Sequence, residues 1–175
     1  QMLLKGEGYQ ESTEEAIKYY KMAIDEGNSK AMNNYAQMLF KGEGCQMNKE
    51  EAIKYYKMAI KEDNLDAMND YAIILITGDG CPVNEEEANK YLKIAAEKGN
   101  IRAMNNYSRA LREGKGCPIN IEESFKYLKM SIDEGNTDSM VDYGVILYFG
   151  SIVPMNKEEA IKYFKMAADG GNSFG

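Results

Sequence analysis

Three arginines give the sequence its clearest capacity for ligand binding. Arg102, Arg109 and Arg112 are the only arginines of the chain, and they lie close together in a protein whose net charge is −7. A guanidinium group can donate two parallel hydrogen bonds to a carboxylate or a phosphate. The sequence therefore predicts either a local basic site for an acidic group, or ion pairs with Glu113 and with acidic residues of neighbouring segments.

Residues suited to catalysis are scarce by comparison. The chain contains no histidine, the residue that most often acts as a general base or binds a metal. Its Gly-x-Gly stretches resemble phosphate-binding loops only superficially, because no Lys-Ser/Thr follows them. We therefore predict that the protein is not an enzyme and uses no cofactor and no metal.

The acidic charge limits the classes of partner. A net charge of −7 disfavours nucleic acid and anionic membranes. The sequence also shows no secretory signal, and no apolar run approaches the ~18 residues of a membrane span. We therefore predict neither nucleic acid nor a membrane as a partner.

The sequence repeats itself at a spacing of 36 residues, which is the interval from Tyr35 to Tyr71. Four complete copies span 31–66, 67–102, 103–138 and 139–174, and a partial copy spans 1–30. Because the chain opens part-way through a copy, we interpret it as a piece of a longer array. A period of about 20 to 50 residues indicates stacked units that bury apolar faces against each other. The prediction is one all-α solenoid array over residues 1–175, built from antiparallel helix pairs.

The cysteines occupy one position of three successive copies: Cys45, Cys81 and Cys117. Stacked helices lie roughly 10 Å apart, beyond the ~7 Å Cα separation that a disulfide tolerates. No C-x-x-C spacing favours a metal or redox site. We predict three unpaired thiols in small apolar slots, which favours a reducing compartment and a cytoplasmic localisation.

Each copy predicts two helices, A and B. In helix A, Ala31, Tyr35, Met38 and Leu39 share one face, and Gly42 ends the helix. Helix B begins at an Asn-x-x-Glu signal, in which the asparagine accepts from a backbone amide and the glutamate reaches back. The signal occurs at Asn48–Glu51, Asn84–Glu87, Asn120–Glu123 and Asn156–Glu159, and as Ser12–Glu15 in the partial copy.

The repeated unit resembles the Sel-1-like repeat, a relative of the tetratricopeptide repeat. The loop at residues 150–154 departs from the family pattern because it lacks the second glycine. The resemblance implies a right-handed α-solenoid superhelix that serves as an adaptor or scaffold and has no shared catalytic residues. It rests on Ala31, Ala36, Leu39, Gly42, Gly44, Cys45, Asn48, Ala52, Tyr55, Tyr56, Ala59 and Asp63 and on the matching residues of the other copies.

In solenoids of this family helix A lines the concave side. At 100° per residue, the face opposite Tyr35 carries positions 33, 37 and 40 of each copy. This face varies between copies and includes apolar residues, so we predict a groove for a protein or peptide with apolar anchors and an acidic group, unless neighbouring copies cover it. The asparagines would hydrogen-bond the peptide backbone. The predicted partner-binding residues are Asn33, Gln37, Phe40, Asn69, Ile73, Ile76, Asn105, Arg109, Arg112, Val141, Val145 and Tyr148.

A second hypothesis is a structural array that self-associates through its ends or its last copy. That copy is apolar and carries Phe149 and Phe174. Exposed apolar patches commonly mark contacts between proteins, so both hypotheses place function in binding.

Overall fold

A computed structural model describes the backbone of residues 4–170 and the side chains of residues 14–170. Within that range the chain forms nine α-helices and no strand, which confirms the predicted all-α repeat fold. It divides between Ala88 and Asn89 into two compact units, here unit 1 and unit 2. The helices are α1 (Leu4–Asp25), α2 (Ser29–Lys41), α3 (Lys49–Lys61), α4 (Leu65–Thr77), α5 (Glu85–Glu97), α6 (Ile101–Glu113), α7 (Ile121–Asp133), α8 (Thr137–Phe149) and α9 (Lys157–Asp169).

Asparagine starts both helices of a copy. Oδ1 of Asn48 accepts from the backbone N–H of Glu51 at 3.0 Å and begins α3, as predicted. Oδ1 of Asn28 likewise accepts from the N–H of Ala31 at 3.0 Å and begins α2, a cap that the apolar spacing of helix A does not predict. Each cap satisfies one of the backbone donors that a helix start leaves unpaired. The same cap begins helix A at Asn64, Asn100 and Asn136.

The capping glutamate bonds differently from the prediction. Oε2 of Glu51 accepts from Nδ2 of Asn48 at 3.1 Å. The backbone N–H of Asn48 donates instead to the carbonyl of Leu39 at 2.8 Å, so that N–H is already satisfied. This backbone bond closes the loop onto the last turn of helix A. It recurs from Asn84 to Leu75, from Asn120 to Leu111 and from Asn156 to Leu147.

Left-handed backbone ends several helices, as the glycine pattern predicts. Gly42 has φ +70° and donates its N–H to the carbonyl of Met38, which is the expected conformation for a residue without a side chain. The loop after Gly150 lacks the second glycine but closes in the same way, because Gly150 donates to Ile146 and Asn156 to Leu147.

The partial copy departs from the expected helix–loop–helix. Helix α1 runs without a break from Leu4 to Asp25, so Ser12 lies inside a helix and is not its cap. Inside a continuous helix each backbone N–H is bonded to the carbonyl four residues earlier, so no unpaired donors remain near Ser12 for it to cap. The prediction of a helix start at Ser12 is therefore wrong.

Small side chains let the two helices of each copy approach closely. In unit 1, Ala36 and Ala52 are fully buried, and the rings of Tyr35 and Tyr55 meet edge to face with centroids 5.0 Å apart. Unit 2 instead buries serines at several of these positions. Ser124 donates to the carbonyl of Ser108 at 2.7 Å, and Ser139 donates to Oγ of Ser131 at 2.7 Å.

Candidate functional site

We call the helix-A side chains at 33, 37 and 40, together with their equivalents in α4, α6 and α8, the A-face. In unit 1 its first contact joins two copies: Nε2 of Gln37 donates to Oδ2 of Asp70 at 2.7 Å. Ile73 is exposed, and Ile76 is half-buried. Nζ of Lys49 lies 5.3 Å from the ring centroid of the half-buried Phe40. The A-face of unit 1 therefore combines a neutral donor, its acidic acceptor and apolar side chains.

In unit 2 a charged pair takes the equivalent place. Nη2 of Arg109 donates to Oδ2 of Asp142 at 2.8 Å, and both side chains are only partly exposed. Burial acts to lower the pKa of Arg109, but the hydrogen bond and the charge of Asp142 outweigh it and hold that pKa above its usual value. Arg109 is thus an ion-paired residue between copies, which was one of the two alternatives that the sequence left open.

Two polar atoms of α6 are buried without a hydrogen-bond partner among the described residues. They are Nη1 of Arg112 and Oδ1 of Asn105. Asn105, Arg109 and Arg112 are spaced at i, i+4 and i+7, so they form one stripe along the helix. Buried polar atoms are normally paired, and an unpaired one costs about 1–3 kcal/mol. The stripe therefore offers both an acceptor and a charged donor that the described residues leave unused.

The predicted exposure of the asparagines is wrong. Asn33 and Asn105 are only 4 % and 6 % exposed, and Asn69 is fully buried. The first turn of helix A is packed over a wider sector than the face around Tyr35, because Met32 beside Asn33 is buried as well. Nδ2 of Asn69 donates to Oδ1 of Asp70 at 3.0 Å, whereas Oδ1 of Asn33 has no partner among the described residues. These amides lie below the surface and not on it.

The apolar part of the unit 2 A-face lies on α8. Val145 and Tyr148 are exposed, and Val141 is half-buried. Nζ of Lys157 lies 5.2 Å from the ring centroid of Tyr148, and Phe149 packs edge to face on that ring at 5.2 Å. Phe149 itself is 70 % exposed. Phe174, the other aromatic residue of the self-association hypothesis, lies outside the described residues.

Sequence reasoning missed Asp70 and Asp142, the acceptors of the two bonds between copies. Each occupies the position after the buried asparagine or its equivalent, and each pairs with a residue 33 positions earlier. The available signal is that this position is Asn or Asp in every complete copy: Asn34, Asp70, Asn106 and Asp142.

The cysteines are free, as predicted, and half-buried. Sγ of Cys45 donates to the carbonyl of Met38 at 3.6 Å, and Sγ of Cys117 donates to that of Ala110 at 3.7 Å. Burial raises the pKa of all three thiols, followed for Cys45 and Cys117 by the charge of the capping glutamate. A thiol with a raised pKa is a poor nucleophile at neutral pH.

Across residues 14–170 no group of three or more Cys, Asp or Glu side chains is arranged to hold a metal ion. None of the helices described above is both long and apolar enough to cross a bilayer.

Comparison with solved structures identifies similar folds. The chain superimposes on a Sel1 repeat protein from Oxalobacter formigenes with a TM-score of 0.81 and 25 % identity, over 89 % of this chain and 62 % of that one. A protective antigen of uropathogenic Escherichia coli with an SLR fold gives a TM-score of 0.73 and 20 % identity, over 90 % and 34 % of the two chains. The chain therefore spans less than two thirds of the length of either relative.

A third neighbour is an immunity protein from Pseudomonas aeruginosa. It has a TM-score of 0.66 and 18 % identity, over 96 % of this chain and 67 % of that one. No curated protein matches the sequence significantly.

The Sel1 repeat model matches five consecutive segments, 1–28, 29–64, 65–100, 101–136 and 137–172. From residue 29 onwards, each of these segments opens just after the asparagine that caps a helix A. The chain belongs to the Sel1 repeat family.

Proposed function

We propose that the chain is a non-catalytic scaffold that binds a segment of another protein on the A-face of unit 2. Sel1 repeat proteins generally act as protein-interaction scaffolds and are typically non-catalytic. The proposal adds a place and a chemistry to that general role. The bound segment carries an acidic side chain and apolar anchors.

The observation that carries the proposal is the guanidinium of Arg112. Its Nη1 is buried and has no hydrogen-bond partner among the described residues. A charged donor without an acceptor is costly in a folded protein, and a carboxylate from a partner would satisfy it with a strong, charge-assisted bond. Arg109 cannot take this role freely because it is already bonded to Asp142.

The neighbouring groups suit the rest of an extended segment. Val145 and Tyr148 are exposed on α8, which the Arg109–Asp142 bond links to α6. Tyrosine and arginine are enriched among the few side chains that provide most of the binding energy of an interface, and complementary charges add specificity.

Binding can be tested with short random peptides displayed on phage and selected against the immobilised chain. We expect the selected peptides to combine an acidic residue with apolar residues. Arg112→Gln should weaken a selected peptide on the order of tenfold, which corresponds to about 1.4 kcal/mol. The melting temperature should not fall, because Nη1 contributes no hydrogen bond to the folded chain.

Lys126→Gln is the matched control, since it removes one positive charge from the exposed part of α7, outside the A-face. This variant should bind the selected peptide as the unmodified chain does. Equal binding to the Arg112→Gln chain, or selected peptides without acidic residues, would rule out the proposed site.

Self-association is the second candidate, and the exposed Phe149 favours it. We expect light scattering across a concentration series to show species larger than a monomer, and Phe149→Ser to remove them. Val83→Ser changes an exposed apolar residue of unit 1 and should have no effect. A monomer at every concentration would eliminate this candidate.

A further inference from the structure

A cavity of about 430 Å³ lies within unit 2, away from the A-face. Helix α7, Tyr143 of α8, the loop before α9 and the first turns of α9 form its walls. Three of its lining residues are aromatic, Phe125, Tyr143 and Tyr163, and two are acidic, Asp133 and Glu159. Its volume falls within the range of sites that hold small ligands, about 300–1,000 Å³.

The corresponding tyrosines of unit 1 are covered by lysines of the protein itself. Nζ of Lys21 lies 5.7 Å from the ring centroid of Tyr35, and Nζ of Lys57 lies 5.4 Å from that of Tyr71. An ammonium group at this distance is attracted to the face of the ring. In two successive copies, therefore, the ring receives an ammonium group from the preceding helix B.

Tyr143 lacks this contact among the described residues, although the preceding helix B, α7, carries the equivalent lysine, Lys129. Lys129 lines the cavity, but its ammonium group does not lie over the ring of Tyr143. Tyr143 is half-buried, whereas Tyr35 and Tyr71 are almost completely buried. The ring of Tyr143 thus lines the cavity without a lysine over it, and it meets the rings of Phe125 and Tyr163 edge to face at 6.0 Å and 4.9 Å.

The charges around the cavity favour a cation. Burial raises the pKa of Tyr143, followed by the charge of Glu159, and it raises the pKa of Tyr163, followed by Glu159 and then Asp133. At Tyr71 burial also raises the pKa, but the hydrogen bond and the charge of Lys57 oppose it. Carboxylate charges therefore add to the raised pKa values of the tyrosines of the cavity, whereas Lys57 opposes the rise at Tyr71.

We propose that this cavity binds an ammonium group carried on an apolar chain. The ammonium group lies against the rings of Tyr143 and Tyr163 and between the carboxylates of Asp133 and Glu159, and the apolar chain packs on Phe125. Either a lysine side chain of a protein segment or a free alkyl amine provides this chemistry. The site is separate from the A-face, and its test does not depend on the function proposed above.

A two-dimensional NMR titration of the whole chain tests the site with three probes. The probes are N-acetyl-lysine-N-methylamide, the free diamine cadaverine, and N-acetyl-norleucine-N-methylamide, which has no charge. We expect saturable shifts of the α7 and α9 amides that line the cavity with the two amines and not with the norleucine probe. Tighter binding of the lysine probe indicates a peptide as the source, and tighter binding of cadaverine indicates a free amine. Absence of saturation with both amines, or equal shifts with the norleucine probe, would overturn the proposal.

Charge variants test whether the cavity favours a positively charged ligand. Asp133→Asn should weaken the better amine about three- to tenfold, since it removes a carboxylate from the wall. Lys129→Gln should tighten it, because it removes the one positive charge among the lining residues. Glu122→Gln and Lys126→Gln, on the exposed part of α7 outside the cavity, make the same charge changes and are the controls for Asp133→Asn and Lys129→Gln respectively. A loss with Asp133→Asn no larger than with the control, or weaker binding after Lys129→Gln, would contradict the assignment.

Discussion

Tyr71 of unit 1 and Tyr107 of unit 2 occupy the same position of consecutive copies and are equally buried, yet their surroundings differ. Lys57 lies over the ring of Tyr71, whereas Lys93, the equivalent lysine for Tyr107, pairs with Glu97 at 3.9 Å. Burial raises the pKa of both tyrosines, but Lys57 opposes the rise at Tyr71 and carboxylates add to it at Tyr107. The repeat therefore fixes the position and the burial of this tyrosine, whereas the neighbouring charges determine how far its pKa is raised.

The contacts between helices differ in the same manner. Ala59 and Ala67 of unit 1 are fully buried without a polar atom in the side chain, whereas Ser131 and Ser139 take their places in unit 2. The serines satisfy each other, because Ser139 donates to Ser131 and Ser131 donates to the carbonyl of Ile101 at 3.1 Å. The same helix–helix contact can thus be formed by an apolar pair or by a hydrogen-bonded pair, provided that every buried polar group is paired.

The largest expected effect is on stability at alkaline pH, to which Tyr107 of unit 2 and Tyr71 of unit 1 should contribute differently. The folded state holds the pKa of Tyr107 strongly above its usual value near 10, so stability is retained below pH 10 and falls as the pH rises above it. The expected loss is about 1.4 kcal/mol per pH unit from this one residue. Tyr107→Phe should remove that share of the loss, and Tyr71→Phe should remove less because Lys57 opposes the shift of Tyr71.

Urea unfolding between pH 9 and pH 12 measures, for each variant, how steeply the free energy of unfolding falls with pH. Absorbance at 295 nm reports tyrosine ionisation directly. If Tyr71→Phe reduced this pH dependence more than Tyr107→Phe does, Lys57 would not be the cause of the difference between the two tyrosines.

Replacing Gly144 with alanine should have the next largest effect on stability. Unit 1 has Ala36 and Ala72 at this helix position, but a Cβ added to Gly144 would lie 2.6 Å from Cε1 of Phe164. Such overpacking costs about 1–3 kcal/mol, while replacing glycine inside a helix returns about 1 kcal/mol. Gly144→Ala should therefore lower the free energy of unfolding by up to about 2 kcal/mol.

Phe164→Leu should rescue this variant, because the equivalent residue beside Ser108 is Leu128. Chemical denaturation of the single and double variants measures the rescue. A stabilised Gly144→Ala chain would mean that the ring of Phe164 moves aside at no cost.

The buried serines should give the smallest effect. Ser131→Ala leaves the hydroxyl of Ser139 without its acceptor and should cost about 1 kcal/mol. Adding Ser139→Ala converts the contact to the alanine pair of unit 1 and should recover most of the loss. Thermal unfolding of the two single variants and the double variant forms a double-mutant cycle, and strict additivity would show that the two hydroxyls are not coupled.

Part of the candidate site was predictable from the sequence. Helical spacing places Gln37, Ile73, Arg109 and Val145 at one position of successive copies, and none of them is fully buried. The same spacing predicts exposure for the asparagines at position 33 and its equivalents, and these are buried. Helical periodicity describes one helix alone, whereas burial depends on every helix that packs around it.

The sequence by itself determined the local structure of this protein. Asparagine caps and the glycines that end helix A act within a few positions of the chain, so their effects follow from residue type and spacing. Only the tertiary structure decided that Arg109 pairs with Asp142, that Nη1 of Arg112 is left without a partner, and that a cavity lies beside Tyr143. These features depend on how side chains of different copies meet once the helices have packed, and no local pattern specifies those distances.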